Sequence, residues 1–360
     1  MNKEHTSEPL APSTANNSEQ FYQLTPERVL SAVEGFGVRC TGRCLALNSM
    51  ENRVYELELD RDAAPQPETE LTPPRSEFRV AKFYRPGRWT HAQIAEEHRF
   101  IADLERAEVP VIAPIPDSSE ETIRDTGELG IFVALFPKAR GRNPDELNDE
   151  QLEWLGRLIA RLHLVGASSP APSRLSLDEK TYGLTNLQYL VSSRCLPLEV
   201  ESAYSAIVTR LCELYAKASA GVKTQRIHGD CHQGNILWGA DGPFFLDFDD
   251  MAMGPVVQDL WLLISGRDDD GRRQLNSIVS GYEQMRDFDR RELRLIEGLR
   301  ALRYVNYSAW IARRWSDPMF KRVFPHFGTT NYWQGQLADI REQVDLFERA
   351  LDQSHLNQSY

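Results

Sequence analysis

The sequence predicts an α+β chain in two lobes, the first rich in strands and the second mostly helical. Three observations predict it. The chain has 360 residues, long for one compact core. Strand-like alternation of apolar and polar positions marks the first third, as in "RVYELEL" and "FRVAKFY". Beyond Pro137, segments such as "DEQLEWLGRLIARLHLVG" take helical spacing, interrupted by one acidic β insert.

Residues 1–20 are rich in Ser, Thr, Asn, Pro and Glu and predict a flexible tail. The first lobe then spans 21–137. Thr25 caps a helix whose first turn carries Pro26 and whose end is marked by Gly35 or Gly37. Strand character runs from Leu45 to Leu59, a Pro-rich acidic loop occupies Asp60 to Ser76, and "FRVAKFY" resumes as a strand. In "THAQIAEEHRFIADLERA", Ile94, Phe100, Ile101 and Leu104 share one helical face, and "GELGIFVALFP" is a further strand. The second lobe is expected over 138–345, with 346–360 as a C-terminal tail.

The bulk numbers narrow the function. With 41% hydrophobic and 26% charged residues the composition is that of a globular protein. The balance of 41 basic against 53 acidic residues gives a net charge of −12, which speaks against nucleic acid held on a broad basic surface. No apolar run reaches membrane-spanning length, and the opening residues lack the basic start and apolar core of a signal peptide. Five scattered cysteines read as free thiols in a reducing compartment. The expectation is a cytoplasmic monomer with no membrane partner.

The chemistry concentrates in "IHGDCHQGNILWGADGPFFLDFDD", residues 227–250. Asn235 follows Asp230 by five positions, and Asp247 follows Asn235 by twelve. If "FFLDFDD" is one strand, Phe245, Asp247 and Asp249 point one way and Phe244, Leu246 and Phe248 the other. A carboxylate flanked by large apolar residues is costly to bury unless a cation pairs with it. Mg²⁺ is usually held by one or two protein oxygens plus waters and phosphate, which a carboxylate with a carboxamide supplies. A strand end emerging into solvent explains any one of these acids as simply, and Asp241 with Gly242 reads as a plain turn. The joint spacing is the stronger signal: Asp, Asn five later and a strand Asp is the phosphoryl-transfer arrangement of protein kinases.

The first lobe offers the remaining parts. Lys82 lies on a strand in "VAKF", where a lone lysine is ordinarily a solvated face. Glu96 and Glu97 follow on the next helix, and Glu97, with Leu104 seven positions on, is taken as the lysine's partner. No Gly-x-Gly-x-x-Gly precedes Lys82. Asn48, Ser49 and Asn52 in the turn "LNSMEN" can hydrogen-bond phosphate oxygens instead, although such residues also simply make turns.

With "LNSMENRVYEL", "VAKFYRPGRWT", "EEHRF", "GRLIARLH", "IHGDCHQGNILW", "FLDFDD", "GPVVQDLWLL" and "LRYVNYSAWIARRWSDP", the chain resembles the aminoglycoside phosphotransferase and choline kinase superfamily. Within that superfamily it is most similar to a bacterial Ser/Thr protein kinase acting in stress response. The resemblance implies a bilobal protein-kinase-like fold and an ATP- and Mg²⁺-dependent kinase. It implies that Asp230 and Asp247 are catalytic, that Asn235 and Asp247 bind Mg²⁺, and that Lys82 and Ser49 contact ATP. Asn52 and Glu97 would belong to the same nucleotide site, and Phe136 to a hinge at Leu135 to Pro137 carrying adenine. The acceptor would be a Ser or Thr hydroxyl of a protein, the kinase itself included. The rival readings are a small-molecule kinase for an aminoglycoside, choline, homoserine or sugar, and a nucleotide-binding scaffold without turnover.

Other residues are placed by chemistry alone. His228 is expected to hold the loop, Asp259 to brace it, and His163 to pack beneath it. Asp249 is divided between a second metal group and simple solvation, and the role of His232 stays open.

Overall fold

Thr25 begins the first long helix as the sequence predicts, its hydroxyl accepting the N–H of Arg28 at 3.4 Å with Pro26 in the first turn. The computed structural model describes residues 19–60 and 76–357. Residues 1–18 of the tail expected over 1–20, and residues 61–75 of the Pro-rich loop expected over Asp60 to Ser76, lie outside the described residues, whereas Glu19 and Gln20 are helical rather than tail. By their contacts the described residues form two units, and each has its own packing.

The first unit holds Met1–His91 and Ile115–Lys138 in its bounds. Its helices are α1 (Glu19–Tyr22) and α2 (Pro26–Glu34), and its strands begin with β1 (Cys40–Leu47), β2 (Arg53–Asp60) and β3 (Ser76–Phe83). Helix α3 (His91–Arg106) follows, then β4 (Arg124–Asp125) and β5 (Phe132–Pro137). The strands form one antiparallel sheet in the order β1-β2-β3-β5-β4. Strand alternation explains its core: Leu57 and Leu59 of β2, Ala81 and Phe83 of β3, and Val133 and Leu135 of β5 pack with Val29 and Val33 of α2. β1 carries Gly42 and no fully buried residue, so it lacks the alternation that marks its neighbours and begins before the strand the pattern predicts.

The second unit comprises Ala92–Pro114 and Ala139–Tyr360, so nearly all of α3 groups with the helical part. The sequence predicts this helix inside the first lobe. The reason for the difference is its contacts: Phe100 meets Phe248 edge-on at 5.9 Å, and Asp103 pairs with Arg226 at 2.8 Å.

The second unit continues with α4 (Asp149–Gly166), α5 (Thr185–Ser192) and α6 (Leu198–Ala218). Short strands follow, β6 (Gln225–Ile227), β7 (Ile236–Gly239), β8 (Gly242–Phe245) and β9 (Ala252–Gly254). Then come α7 (Val257–Trp261), α8 (Asp269–Glu283), α9 (Ile296–Arg313), α10 (Pro318–Val323) and α11 (Thr330–Asn357). α4 opens with a capping box between Asn148 and Gln151 and buries Leu152, Leu155, Ile159 and Leu162 on one face. Gly156 lets α8 approach closely, since a Cβ there would stand 2.1 Å from the carbonyl oxygen of Ile278. Residues 346–357, where the sequence predicts a tail, continue α11, and Phe347 is fully buried. No helix among the described residues is long and apolar enough to cross a membrane.

Candidate active site

The site grows out of two small β pairs. β6 pairs with β9, and β7 with β8, the latter through a two-residue turn at Ala240 and Asp241. The stretch His228 to Asn235 links β6 to β7, so the tight hairpin brings Asn235 back beside the residues after β8. The N–H of Leu246 donates to the carbonyl of Asn235 at 2.9 Å, which places the backbone of Asp247 one residue from that bond.

A buried network fixes the loop. Asp259 of α7 is fully buried and accepts the N–H of His228 at 2.7 Å and that of Gly229 at 2.8 Å. His163 of α4 joins it, Nε2 lying 3.0 Å from the same carboxylate and Nδ1 3.1 Å from the Tyr282 hydroxyl. Burial drives the His163 pKa down, against the pull of Asp259, so the ring is neutral. It then donates to Asp259 through Nε2 and accepts from Tyr282 through Nδ1. His228 is buried and its Nε2 donates to the carbonyl of Leu246 at 2.8 Å, tying the loop to the segment carrying Asp247. Gly229 adopts φ +85°, and a Cβ there would lie 2.2 Å from the carbonyl oxygen of Asp250. Only glycine fits such a position.

Asp230 follows Gly229. Its Oδ1 accepts from Nη1 of Arg303 at 2.8 Å, and its Oδ2 lies 3.4 Å from Nε2 of His232. His232 uses Nδ1 to accept the N–H of Gly234 at 2.9 Å, so in a neutral ring Nε2 carries the proton toward Asp230. Burial pushes the Asp230 carboxyl up, but the His232 hydrogen bond and the Arg303 charge outweigh it and hold the group well below the usual carboxylate range.

Asn235 donates from Nδ2 to the carbonyl of Asp230 at 2.9 Å, which fixes the amide and reserves Oδ1 for another partner. Asp247 stands in the left-handed region at φ 53°. The strand predicted through Asp249 therefore stops at Phe245, and Phe248–Asp250 is a 3₁₀ turn. The left-handed residue is the cause: it turns the chain, so Asp249 does not share a strand face with Asp247. Asp249 is buried, and its carbonyl and that of Met251 accept from Arg174 at 2.5 and 2.8 Å. Asn235 and Asp247 together offer one amide oxygen and one carboxylate, hard donors that suit a divalent ion retaining water and phosphate ligands. Among the described residues no group of three or more His, Cys, Asp or Glu is placed to hold a metal.

Helix α3 carries both glutamates. Glu96 accepts the N–H groups of Ser173 and Arg174 at 2.9 and 3.1 Å. Glu97 is 1% exposed, with Nη1 of Arg174 at 3.9 Å.

In the first unit, Lys82 follows Ala81 and precedes Phe83 on β3 and is buried on the face of the strand opposite to theirs. Its ammonium lies 4.7 Å from the ring centre of Tyr84. The turn from Asn48 to Asn52 is clamped from below. The Arg85 guanidinium donates to the carbonyls of Glu51 and Met50 at 2.9 and 3.1 Å, and the Arg85 N–H donates to Asn52 Oδ1 at 3.1 Å. The hydroxyl of Ser49 accepts the N–H of Asn52 at 3.3 Å. Phe136 pairs with Val80 in the register of β3 with β5.

Residues 49–296 match the phosphotransferase enzyme family. The chain belongs to that family. This phosphotransferase is 38% identical to stress response kinase A of Escherichia coli (strain K12), covering 92% of this chain and 96% of that protein. It is also 38% identical to the serine/threonine protein kinase RdoA of Salmonella typhimurium (strain LT2), with the same coverage of 92% and 96%. Among solved structures, the amicoumacin kinase hAmiN in complex with AMP-PNP, Ca²⁺ and Ami is similar at a TM-score of 0.65. It is 16% identical, over 86% of this chain and 95% of that one. A microcompartment-associated aminopropanol kinase is similar at a TM-score of 0.64 and 19% identity, over 90% and 98%. These structures share the bilobal kinase-like fold. The phosphotransferase is an ATP-dependent kinase, and its family uses a divalent metal.

Arg303 and Arg174 are functional candidates that no sequence spacing reveals. Arg303 sits in the basic and aromatic stretch "LRYVNYSAWIARRW", but nothing there singles it out.

Proposed function

We propose that this phosphotransferase moves the γ-phosphoryl group of Mg²⁺-ATP to a Ser or Thr hydroxyl of a protein, the kinase itself included. The observation that carries this reading is the Asp230–Arg303 contact at 2.8 Å, beside the fixed Asn235 amide. A kinase for a cationic small alcohol would be expected to face its acceptor with carboxylates, whereas an arginine stands here. The names of the relatives, stress response kinase A and serine/threonine protein kinase RdoA, support the same acceptor and a role in stress response. The five free cysteines fit a cytoplasmic setting.

In the proposed reaction the acceptor oxygen attacks the γ-phosphorus in line, the bond to the β-phosphate bridging oxygen breaks, and ADP leaves. The hydroxyl proton passes to the Asp230 carboxylate. With its pKa held low, Asp230 is a weak base in the ground state, so its first task is to orient the hydroxyl, and the proton moves late in a loose transition state. Mg²⁺ held by Asn235 and Asp247 would neutralise the phosphate oxygens. We assign Lys82 to the nucleotide phosphates. Of the two glutamates on α3, Glu97 is the one we assign as its counter-charge, a choice that fits the Glu96 carboxylate already serving two backbone amides. Ser49 faces the phosphates in a turn that Asn52 shapes through Arg85, and Phe136 borders adenine.

The test is mass-spectrometric mapping of phosphosites on the kinase and on casein after incubation with Mg²⁺-ATP, with small alcohols run in a coupled assay. Phosphoserine or phosphothreonine on protein is the expected result. Turnover confined to a small alcohol would overturn the proposal.

A further inference from the structure

Both oxygens of Asp230 that must meet an acceptor hydroxyl already face donors, and the two donors differ in kind. His232 belongs to the same loop and is fixed by the Gly234 N–H at 2.9 Å. Arg303 comes from α9, 73 residues along the chain, and its side chain is 44% exposed. A guanidinium at the end of a flexible stem exchanges partners readily, and its planar fork matches a carboxylate or a phosphate. The same helix surfaces Tyr304 and Tyr307, 37% and 46% exposed, next to Arg303 and one turn on. An ammonium brought to Asp230 would meet like charge from Arg303; an acid would meet opposite charge.

We propose that Arg303 selects acceptor hydroxyls flanked by a carboxylate or a phosphate, and that the acceptor's acid takes the guanidinium over from Asp230 as the hydroxyl docks. Arg303 is then a specificity-determining residue, holding the carboxylate until an acidic acceptor releases it. This rests on the protein-kinase reading of the site and names the class of acceptor within it. The net charge of the chain is −12, so a local cation beside Asp230 is what such an acceptor would need to approach.

The experiment compares matched Ser peptides flanked by Glu, by phosphoserine, by Ala or by Lys, using the wild-type kinase and the Arg303→Ala, Arg303→Lys and Arg303→Glu variants. For the wild type, kcat/KM for the Glu- and phosphoserine-flanked peptides should exceed that for the Ala-flanked one by about tenfold or more, the size of one charge-assisted contact. The preference should vanish in Arg303→Ala, persist in part in Arg303→Lys, and turn toward the Lys-flanked peptide in Arg303→Glu. A contact that merely supports the fold would lower all peptides alike. That result, or a wild type indifferent to flanking charge, overturns the inference; the wild-type comparison holds even where a variant fails to fold. Phosphorylation of a small alcohol with no peptide turned over is a different result, and it removes the protein-kinase reading together with the inference.

Discussion

Asp259 receives the backbone N–H groups of His228 and Gly229 on its two carboxylate oxygens, at 2.7 and 2.8 Å. One buried side chain thereby sets the direction in which Asp230 leaves the loop, and neutral His163 adds a third donor at 3.0 Å. Removing the acceptor strands buried donors. Asp259→Ala should lower stability by about 3–5 kcal/mol, as for a broken buried polar cluster, and abolish most phosphotransfer. Urea unfolding and a γ-phosphate transfer assay check this. Asp259→Asn, which keeps one accepting oxygen, should fall between the two.

Gly229 is the other constraint on the loop. With φ +85° and a Cβ that would stand 2.2 Å from the Asp250 carbonyl, alanine forces the backbone apart. Gly229→Ala should cost about 1–3 kcal/mol in strain and reduce kcat far more than it changes nucleotide affinity. Parallel melting curves and nucleotide titrations separate the two effects.

Glu292 gives a pH prediction away from the chemistry. Burial pushes its carboxyl up to about 7, opposed by the N–H of Val257. The folded state therefore binds a proton that the unfolded chain, with an ordinary carboxyl, has already lost. Stability is fully present below the ordinary carboxyl pKa and declines as pH rises to about 7. Glu292→Gln keeps an acceptor for Val257 and should flatten that decline, which amounts to about 1–3 kcal/mol. Chemical denaturation at several pH values reads it directly; an unchanged slope would exclude Glu292 as its source.

Asn235 tests the metal assignment. Asn235→Ala should raise the Mg²⁺ concentration needed for half-maximal transfer by about tenfold or more, because the proposed site would lose one of its two protein ligands. Chelation with EDTA should stop transfer by the wild type, and added Mg²⁺ should restore it.

The positions of Asp230, Asn235 and Asp247 were legible because one short hairpin joins them, and hairpins leave a local mark in turn residues and spacing. The placement of Lys82 was legible for a different local reason, since strand alternation puts it on the face opposite Ala81 and Phe83. Alternation that continues through "FLDFDD" predicts Asp247 within a strand, whereas the residue takes a left-handed backbone, which alternation does not encode. Arg303 and Arg174 meet the site across 73 and 75 residues of sequence, and no period or motif encodes such partners. The grouping of α3 with the helical unit is of the same kind, resting on Phe100 and Asp103 and their distant partners.

The central claim is that Asp230 directs the acceptor hydroxyl, and the most direct measurement is transfer of γ-phosphate by Asp230→Asn beside the wild type, with nucleotide binding measured on the same samples. The prediction is a loss of transfer of about 10²–10⁴-fold with ATP affinity nearly unchanged. Transfer at the wild-type rate, to the kinase or to a generic protein, would contradict it.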